Sequence, residues 1–138
     1  MKIAVALVLA FAVSGAAQAA DPLTPPSVPP IVKVPPAYKP FLLGHAVGTQ
    51  NYICAPAATN TGVDWLFIGP QATLFNADGQ QILTHFQSTN PFESDPSKAI
   101  QATWQHSNDS SAVWAKKLYG STDPNYVRPD AIEWLLLT

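Results

Sequence analysis

Several common signatures are missing from this 138-residue chain, and their absence narrows the possible functions. The single cysteine, Cys54, leaves no paired-cysteine spacing for a metal ion, and no glycine-rich phosphate loop is present. We therefore expect no cofactor. Charged residues make up only 12% of the sequence, with 7 basic and 9 acidic side chains and no basic stripe. Nucleic acid and anionic membrane surfaces are poor candidate partners for such a chain.

No apolar run is long enough to cross a bilayer, which takes about 20 residues. The run from Ile3 to Val13 follows Lys2 and precedes Ala17-Gln18-Ala19, an order typical of a secretory signal peptide cleaved after Ala19. A retained anchor is the alternative, but the run has no polar face. We predict that residues 1–19 are a signal peptide, that no membrane span follows, and that the protein is secreted or periplasmic.

Sustained helical periodicity is also missing. Removing 19 of 138 residues leaves 119, enough for one domain, and beyond the N-terminal region short apolar runs alternate with turn signals about every ten residues. This spacing predicts an all-β domain at residues 41–138, a sandwich or barrel of about seven short strands. The predicted strands are Ala46 to Cys54, Trp65 to Ile68, Ala72 to Asn76, Gln81 to Phe86, Ile100 to His106, Ala112 to Tyr119 and Ala131 to Leu137.

The clearest local signal is the hairpin TLFNADGQQILTHF. Asp78-Gly79 suits a two-residue type I′ turn, since both central residues of that turn need positive φ. This turn places Phe75 opposite Ile82, Leu74 opposite Leu83 and Ala72 opposite His85. A one-residue bulge at the turn would shift the pairing and is the main alternative.

Residues 20–40 form a proline-rich arm that holds 8 of the 14 prolines. Proline fixes φ, removes a backbone donor and pushes the preceding residue into an extended conformation. The arm is therefore expected to be a semi-rigid polyproline-like leader or an extended segment pinned to the surface. A ligand for a proline-reading domain is the alternative.

Three histidines, His45, His85 and His106, are candidate metal ligands, since three imidazoles can hold zinc with an open fourth position. None lies in a local H-x-H or H-x-x-x-H spacing, so any such site depends on tertiary structure. Each histidine alone is otherwise a satisfied or solvent-exposed side chain.

The stretch TWQHSNDSSAVWAKK places a histidine, an aspartate and serines close together. Triad members usually come from distant segments, and Asn, Asp and Ser also stabilise tight bends, so we favour a turn over a catalytic site. Aromatic and amide side chains suit a groove for a sugar or another small molecule, although they also fill cores. The candidate ligand-binding residues are His45, Gln50, Tyr52, Trp104, Gln105 and His106.

The run AIEWLLLT is apolar up to Thr138, and Cys54 has no partner in the chain. Both features predict a chain that is cut short at its C-terminal end. A missing neighbour strand would expose an apolar edge near Ala131 to Leu137, through which the protein could associate with itself.

Four blocks occur in order along the chain: GHAVGTQNYICAPA, LFIGPQATLFNADGQQILTHF, ATWQHSNDSSAVWA and DPNYVRPDAIEWLLL. Together they resemble the secreted domain-of-unknown-function family 3455 of bacteria and fungi. The resemblance implies an exported β-rich domain with no assigned activity. It also implies a further stretch after WLLL that ends near a second cysteine, which this chain does not contain.

The function expected from these features is that of a binding or envelope-associated module with a small-molecule or glycan ligand. A histidine-dependent hydrolase, which could use a metal, is the first alternative, and a structural surface protein is the second. Whether the protein is an enzyme is left open by the sequence.

Overall fold

The chain folds as an all-β protein in a computed structural model that describes residues 23–59 and 61–138. The predicted signal peptide lies outside the described residues. Seven strands form two antiparallel sheets: β1 (His45–Pro56), β2 (Val63–Phe75), β3 (Gln81–Thr89), β4 (Ile100–His106), β5 (Ala112–Ala115), β6 (Lys117–Ser121) and β7 (Trp134–Leu137). The all-β prediction is confirmed. The sequence predicted either a sandwich or a barrel, and the described residues do not form a closed barrel.

The first five strands form one sheet in the order β1-β2-β3-β4-β5, so each strand pairs with its neighbour in sequence. Short connections between consecutive strands favour this antiparallel meander. The remaining two strands, β6 and β7, form a separate two-stranded sheet. Strands β1 and β5 are therefore the two edges of the large sheet.

Strand β2 corrects one sequence prediction, because it runs through Gly69-Pro70 and joins the two predicted strands Trp65 to Ile68 and Ala72 to Asn76. Asn51 pairs with Gly69 and Tyr52 with Phe67, which leaves one extra residue on β2 as a bulge. Gly69 adopts φ 138°, which glycine accommodates without strain. The pairing of β2 with β3 begins only at Ala72, so the missing N–H of Pro70 interrupts no hydrogen bond to β3.

The β2–β3 hairpin has the predicted pairs Ala72–His85 and Leu74–Leu83, but Phe75 pairs with Gln81 instead of Ile82. Gly79 alone in this turn has positive φ, 76°, and its N–H donates to the carbonyl of Asn76 at 3.1 Å. The type I′ prediction was wrong because Asp78 stays in the ordinary φ range. The bulged alternative is the one that forms.

The predicted strand Ala112 to Tyr119 is divided at Lys116, where the chain passes from one sheet to the other. Lys116 and Thr138 exchange two backbone hydrogen bonds of 2.9 Å, which joins this point to the end of β7. No glycine or proline marks the change of sheet, so the sequence carries no local signal for it. The last strand is also shorter than predicted and begins at Trp134.

The proline-rich arm is pinned to the domain by a single turn of 3₁₀ helix at Pro30–Val32 instead of an extended strand. This turn contacts β6 and β7, and Pro29 and Val32 are buried. Proline suits the first position of such a turn because its missing N–H would be unpaired there. The arm therefore contributes to the packing of the small sheet.

Few side chains of the described residues are fully buried. The buried apolar residues include Val32, Ala57, Leu74 and Val127, and the buried polar residues are Gln101 and Thr103. Many large apolar side chains of β1 and β2 stay accessible, including Val47 at 68% and Trp65 at 72%. The apolar surface is therefore concentrated on open faces and in the space between the sheets.

Candidate functional site

The polar stretch after β4 forms the turn between β4 and β5, as the sequence predicted. Asp109 Oδ1 accepts from the Ser111 N–H at 3.0 Å and from Ser111 Oγ at 2.7 Å, and these bonds hold the pKa of Asp109 below its ordinary value. His106 Nδ1 lies 3.2 Å from the same carboxylate oxygen. Because the serine donates to the aspartate and not to the histidine, the order of a hydrolytic triad is absent.

A cavity of about 800 Å³ lies between the two sheets. Tyr52 of β1 and Phe67 of β2 are neighbours on one wall, with ring centroids 5.3 Å apart. The small sheet supplies Leu135 and Leu137, and Ile132 precedes it. The walls are therefore largely apolar and come from both sheets, as in most small-molecule sites.

His85 and Trp104 form a stacked aromatic pair that lines this cavity. They are opposite one another on β3 and β4, and their rings stack with centroids 4.1 Å apart and planes at 9°. His85 Nδ1 lies 2.9 Å from the carbonyl oxygen of Thr103. A carbonyl only accepts, so Nδ1 carries the proton and donates, which leaves Nε2 of the neutral ring as an acceptor.

Burial lowers the pKa of His85 below its ordinary value of 6.5, and the hydrogen bond to the Thr103 carbonyl opposes this only in part. The imidazole is therefore neutral at neutral pH. In this state His85 combines a flat face, supported by Trp104, with one lone pair for a hydrogen-bond donor.

The charged side chains that line the cavity are all paired. The three lysines form ion pairs with carboxylates: Lys98 with Asp95 at 2.8 Å, Lys116 with Glu93, and Lys117 with Glu133. The Lys116 ammonium holds the pKa of Glu93 below its ordinary value, and the Lys98 ammonium does the same for Asp95. Each ion pair therefore offers the cavity little net charge.

A hydrogen-bonded network is centred on Thr103, whose side chain projects from the face of β4 opposite to that of Trp104. The indole Nε1–H of Trp114 donates to Ser88 Oγ at 2.9 Å, and Ser88 Oγ lies 2.9 Å from Thr103 Oγ1, which donates to the Gln101 carbonyl at 3.0 Å. The Gln101 amide is held in turn by Asn90 at 3.0 Å. This network fixes the backbone of β4, whose Thr103 carbonyl orients His85.

Three of the six predicted ligand-binding residues line the cavity: Gln50, Tyr52 and Trp104. The other three, His45, Gln105 and His106, do not. Successive side chains of a strand point to opposite faces, so Gln105 faces away from the cavity when Trp104 faces it. His106 instead lines a smaller cleft of about 310 Å³, whose walls also include Trp104 and Phe41.

The three histidines predicted as metal ligands are not brought together. His85 lies opposite Ala72, whereas His45 lies opposite Phe75, an odd number of positions away, so the two rings project from opposite faces of the sheet. Within residues 23–59 and 61–138, no group of three His, Cys, Asp or Glu side chains is close enough to hold a metal ion.

Sequence reasoning missed several residues of the cavity, mainly Phe67, Gln87, Lys117, Glu133 and Leu135. The alternation of β3 placed Gln87 on the face of His85, a signal that could have been used. Nothing local indicated that residues of β6 and β7 would line the same cavity as the large sheet.

A family model described as a protein of unknown function (DUF3455) matches residues 35–138. The chain belongs to the DUF3455 family. The match confirms the resemblance seen in the four sequence blocks, and it covers all seven strands. No curated protein and no solved structure matches the chain. Among the described residues of this DUF3455 protein, no helix has the length and apolar character needed to cross a membrane.

Proposed function

We propose that this protein is an exported binding module that takes up an uncharged, partly apolar small molecule or glycan in the cavity between the two sheets. The observation that carries the proposal is the stacked His85–Trp104 pair, which presents a supported flat surface and a free imidazole acceptor inside an aromatic-lined space. Flat rings and a few hydrogen-bonding groups are the usual means of binding such ligands. Export is supported by the N-terminal sequence pattern.

The size of the cavity supports a small ligand. Sites for small molecules usually measure about 300–1,000 Å³, and this cavity measures about 800 Å³. The space is thus large enough for one or two sugar rings or for an aromatic metabolite. It is too small for a folded protein partner.

The electrostatics of the walls favour an uncharged ligand over an ionic one. A carboxylate or phosphate would need a free cation, but Lys116 and Lys117 already pair with Glu93 and Glu133. Burying a ligand charge without a partner is unfavourable. Gln50, Gln87 and His85 remain as groups that can hydrogen-bond to hydroxyls.

Binding is better supported than hydrolysis. Covalent hydrolysis needs a nucleophile within hydrogen-bond reach of its base. Among the described residues that line the cavity there is no serine, threonine or cysteine beside His85. The Nδ1 side of His85 is also bonded to a backbone carbonyl and not to a carboxylate.

Thermal-shift screening of the protein without residues 1–19 tests the proposal. The panel contains neutral oligosaccharides and neutral aromatic metabolites, together with phosphorylated and carboxylated analogues of each. A neutral compound at 100 times its Kd should stabilise the fold by about 2.7 kcal/mol. The proposal is wrong if no neutral compound raises Tm, or if the charged analogues bind as well.

A pair of tryptophan variants locates the site. Trp104→Ala removes the ring that supports His85, and we expect the affinity to fall at least about tenfold. Trp65→Ala is the matched control, because Trp65 is 72% exposed and does not line the cavity. Equal affinities of the two variants would place the ligand elsewhere.

A further inference from the structure

Strand β1 forms an open edge of the large sheet. It is twelve residues long, His45–Pro56, and within residues 23–59 and 61–138 it pairs only with β2. In an antiparallel strand, alternate residues direct both their N–H and C=O groups to the same side. Every second residue of β1 therefore offers an unpaired donor and acceptor along this edge.

The devices that usually protect an edge strand are missing from β1. From His45 to Pro56 there is no lysine, arginine, aspartate or glutamate, and proline occurs only at the last position. The bulge in the β1–β2 pair lies on β2, so β1 itself remains regular. Val47 is 68% exposed and Ile53 is 47% exposed. A long, uncharged edge with exposed apolar side chains tends to pair with another strand.

We infer that β1 pairs with β1 of a second copy of this chain, antiparallel and about a twofold axis perpendicular to the sheet. Residues that face each other across such a pair must project from the same face of the continuous sheet. An axis through Gln50, near the middle of the strand, satisfies this condition and uses positions 45 to 55. It sets Val47 of each copy opposite Ile53 of the other.

This register explains why a second copy suits the edge. The two Val47–Ile53 contacts cover apolar side chains that are exposed in one copy, and both contacts arise from a single symmetric arrangement. A charged strand would repel its own copy, whereas β1 has no charged residue. The other edge, β5, has only four residues, and so does β7, where self-association was expected from the sequence.

Analytical ultracentrifugation of the protein without residues 1–19 tests the inference, with reductant present so that Cys54 forms no disulfide. We expect a reversible dimer at concentrations below about 1 mM. The variant Val47→Lys/Ile53→Lys should be monomeric, because it places like charges opposite each other twice. The variant Val47→Lys/Ile53→Asp should dimerise again, because each introduced ammonium then faces an introduced carboxylate.

Val34→Lys is the matched control, since Val34 is 52% exposed and belongs to the arm and not to β1. It should dimerise like the wild type. A wild-type protein that stays monomeric up to about 1 mM would overturn the inference. So would equal dimerisation of the wild type and the double-lysine variant, or failure of the lysine–aspartate variant to associate more strongly than the double-lysine variant.

Discussion

Thr103→Val removes one hydroxyl from the centre of the network on β4 while leaving the shape of the side chain nearly unchanged. Thr103 is 1% exposed, and its Oγ1 donates to the Gln101 carbonyl at 3.0 Å. Because that donation uses its only proton, Oγ1 must accept from Ser88, 2.9 Å away, and Ser88 accepts from the Trp114 indole. The substitution therefore leaves the Ser88 hydroxyl without its acceptor.

The expected cost follows from burial. A typical hydrogen bond contributes about 0.5–1.5 kcal/mol, and an unsatisfied buried partner costs about 1–3 kcal/mol. We expect Thr103→Val to lower the free energy of unfolding by about 1–3 kcal/mol. In a domain of this size, each 1 kcal/mol corresponds to a fall in Tm of about 4 °C.

Urea unfolding of a double-mutant cycle measures this effect. In a Ser88→Ala background the hydroxyl that loses its acceptor is already gone. Thr103→Val should then cost at least about 0.5 kcal/mol less than it does in the wild type. Costs that simply add would refute the directed chain from Trp114 to Gln101, and so would a Thr103→Val protein as stable as the wild type.

Two further predictions concern stability. Burial lowers the pKa of His85 below 6.5, so the unfolded chain binds the His85 proton more tightly than the folded chain does. The contribution of neutral His85 to the free energy of unfolding is therefore fully present above about pH 6.5. It is lost as the pH falls through the lowered pKa of the folded state. His85→Gln should flatten this part of the pH profile of unfolding, and an unchanged slope would contradict the lowered pKa. Gly79→Ala should lower the free energy of unfolding in urea by about 1–2 kcal/mol, because φ is 76° and L-residues other than glycine are strained there. An added Cβ meets no atom within 4 Å, so the expected loss comes from the backbone conformation alone. A neutral effect would contradict the bulged turn.

The predicted class of fold was right because it depends on local properties. Apolar runs separated by Gly, Pro, Asn and Asp favour strands and turns over long helices. The pairs Ala72–His85 and Leu74–Leu83 were also predicted correctly, because a short hairpin allows only neighbouring registers. The exact turn was not, because the competing turns differ by a single residue.

The candidate site could be predicted only in part. Gln50, Tyr52 and Trp104 were identified by the chemistry of their side chains, and all three line the cavity. Gln105 and His106 were chosen for the same chemistry, but they do not line the cavity. Adjacent residues of a strand face opposite sides, and residues two apart face the same side about 7 Å further along, so closeness in sequence does not bring side chains into one cavity.

By itself, the sequence determined strand-sized segments, most turns, the family blocks and the low charge, because these properties depend on residues a few positions apart. Only the tertiary structure decided that the chain changes sheet at Lys116 and that β6 and β7 supply part of the cavity wall. It also stacked His85 on Trp104 and left β1 as an open edge. These features depend on pairings between segments that are distant in sequence. Such pairings are determined by the free energy of the whole fold and not by any local sequence pattern.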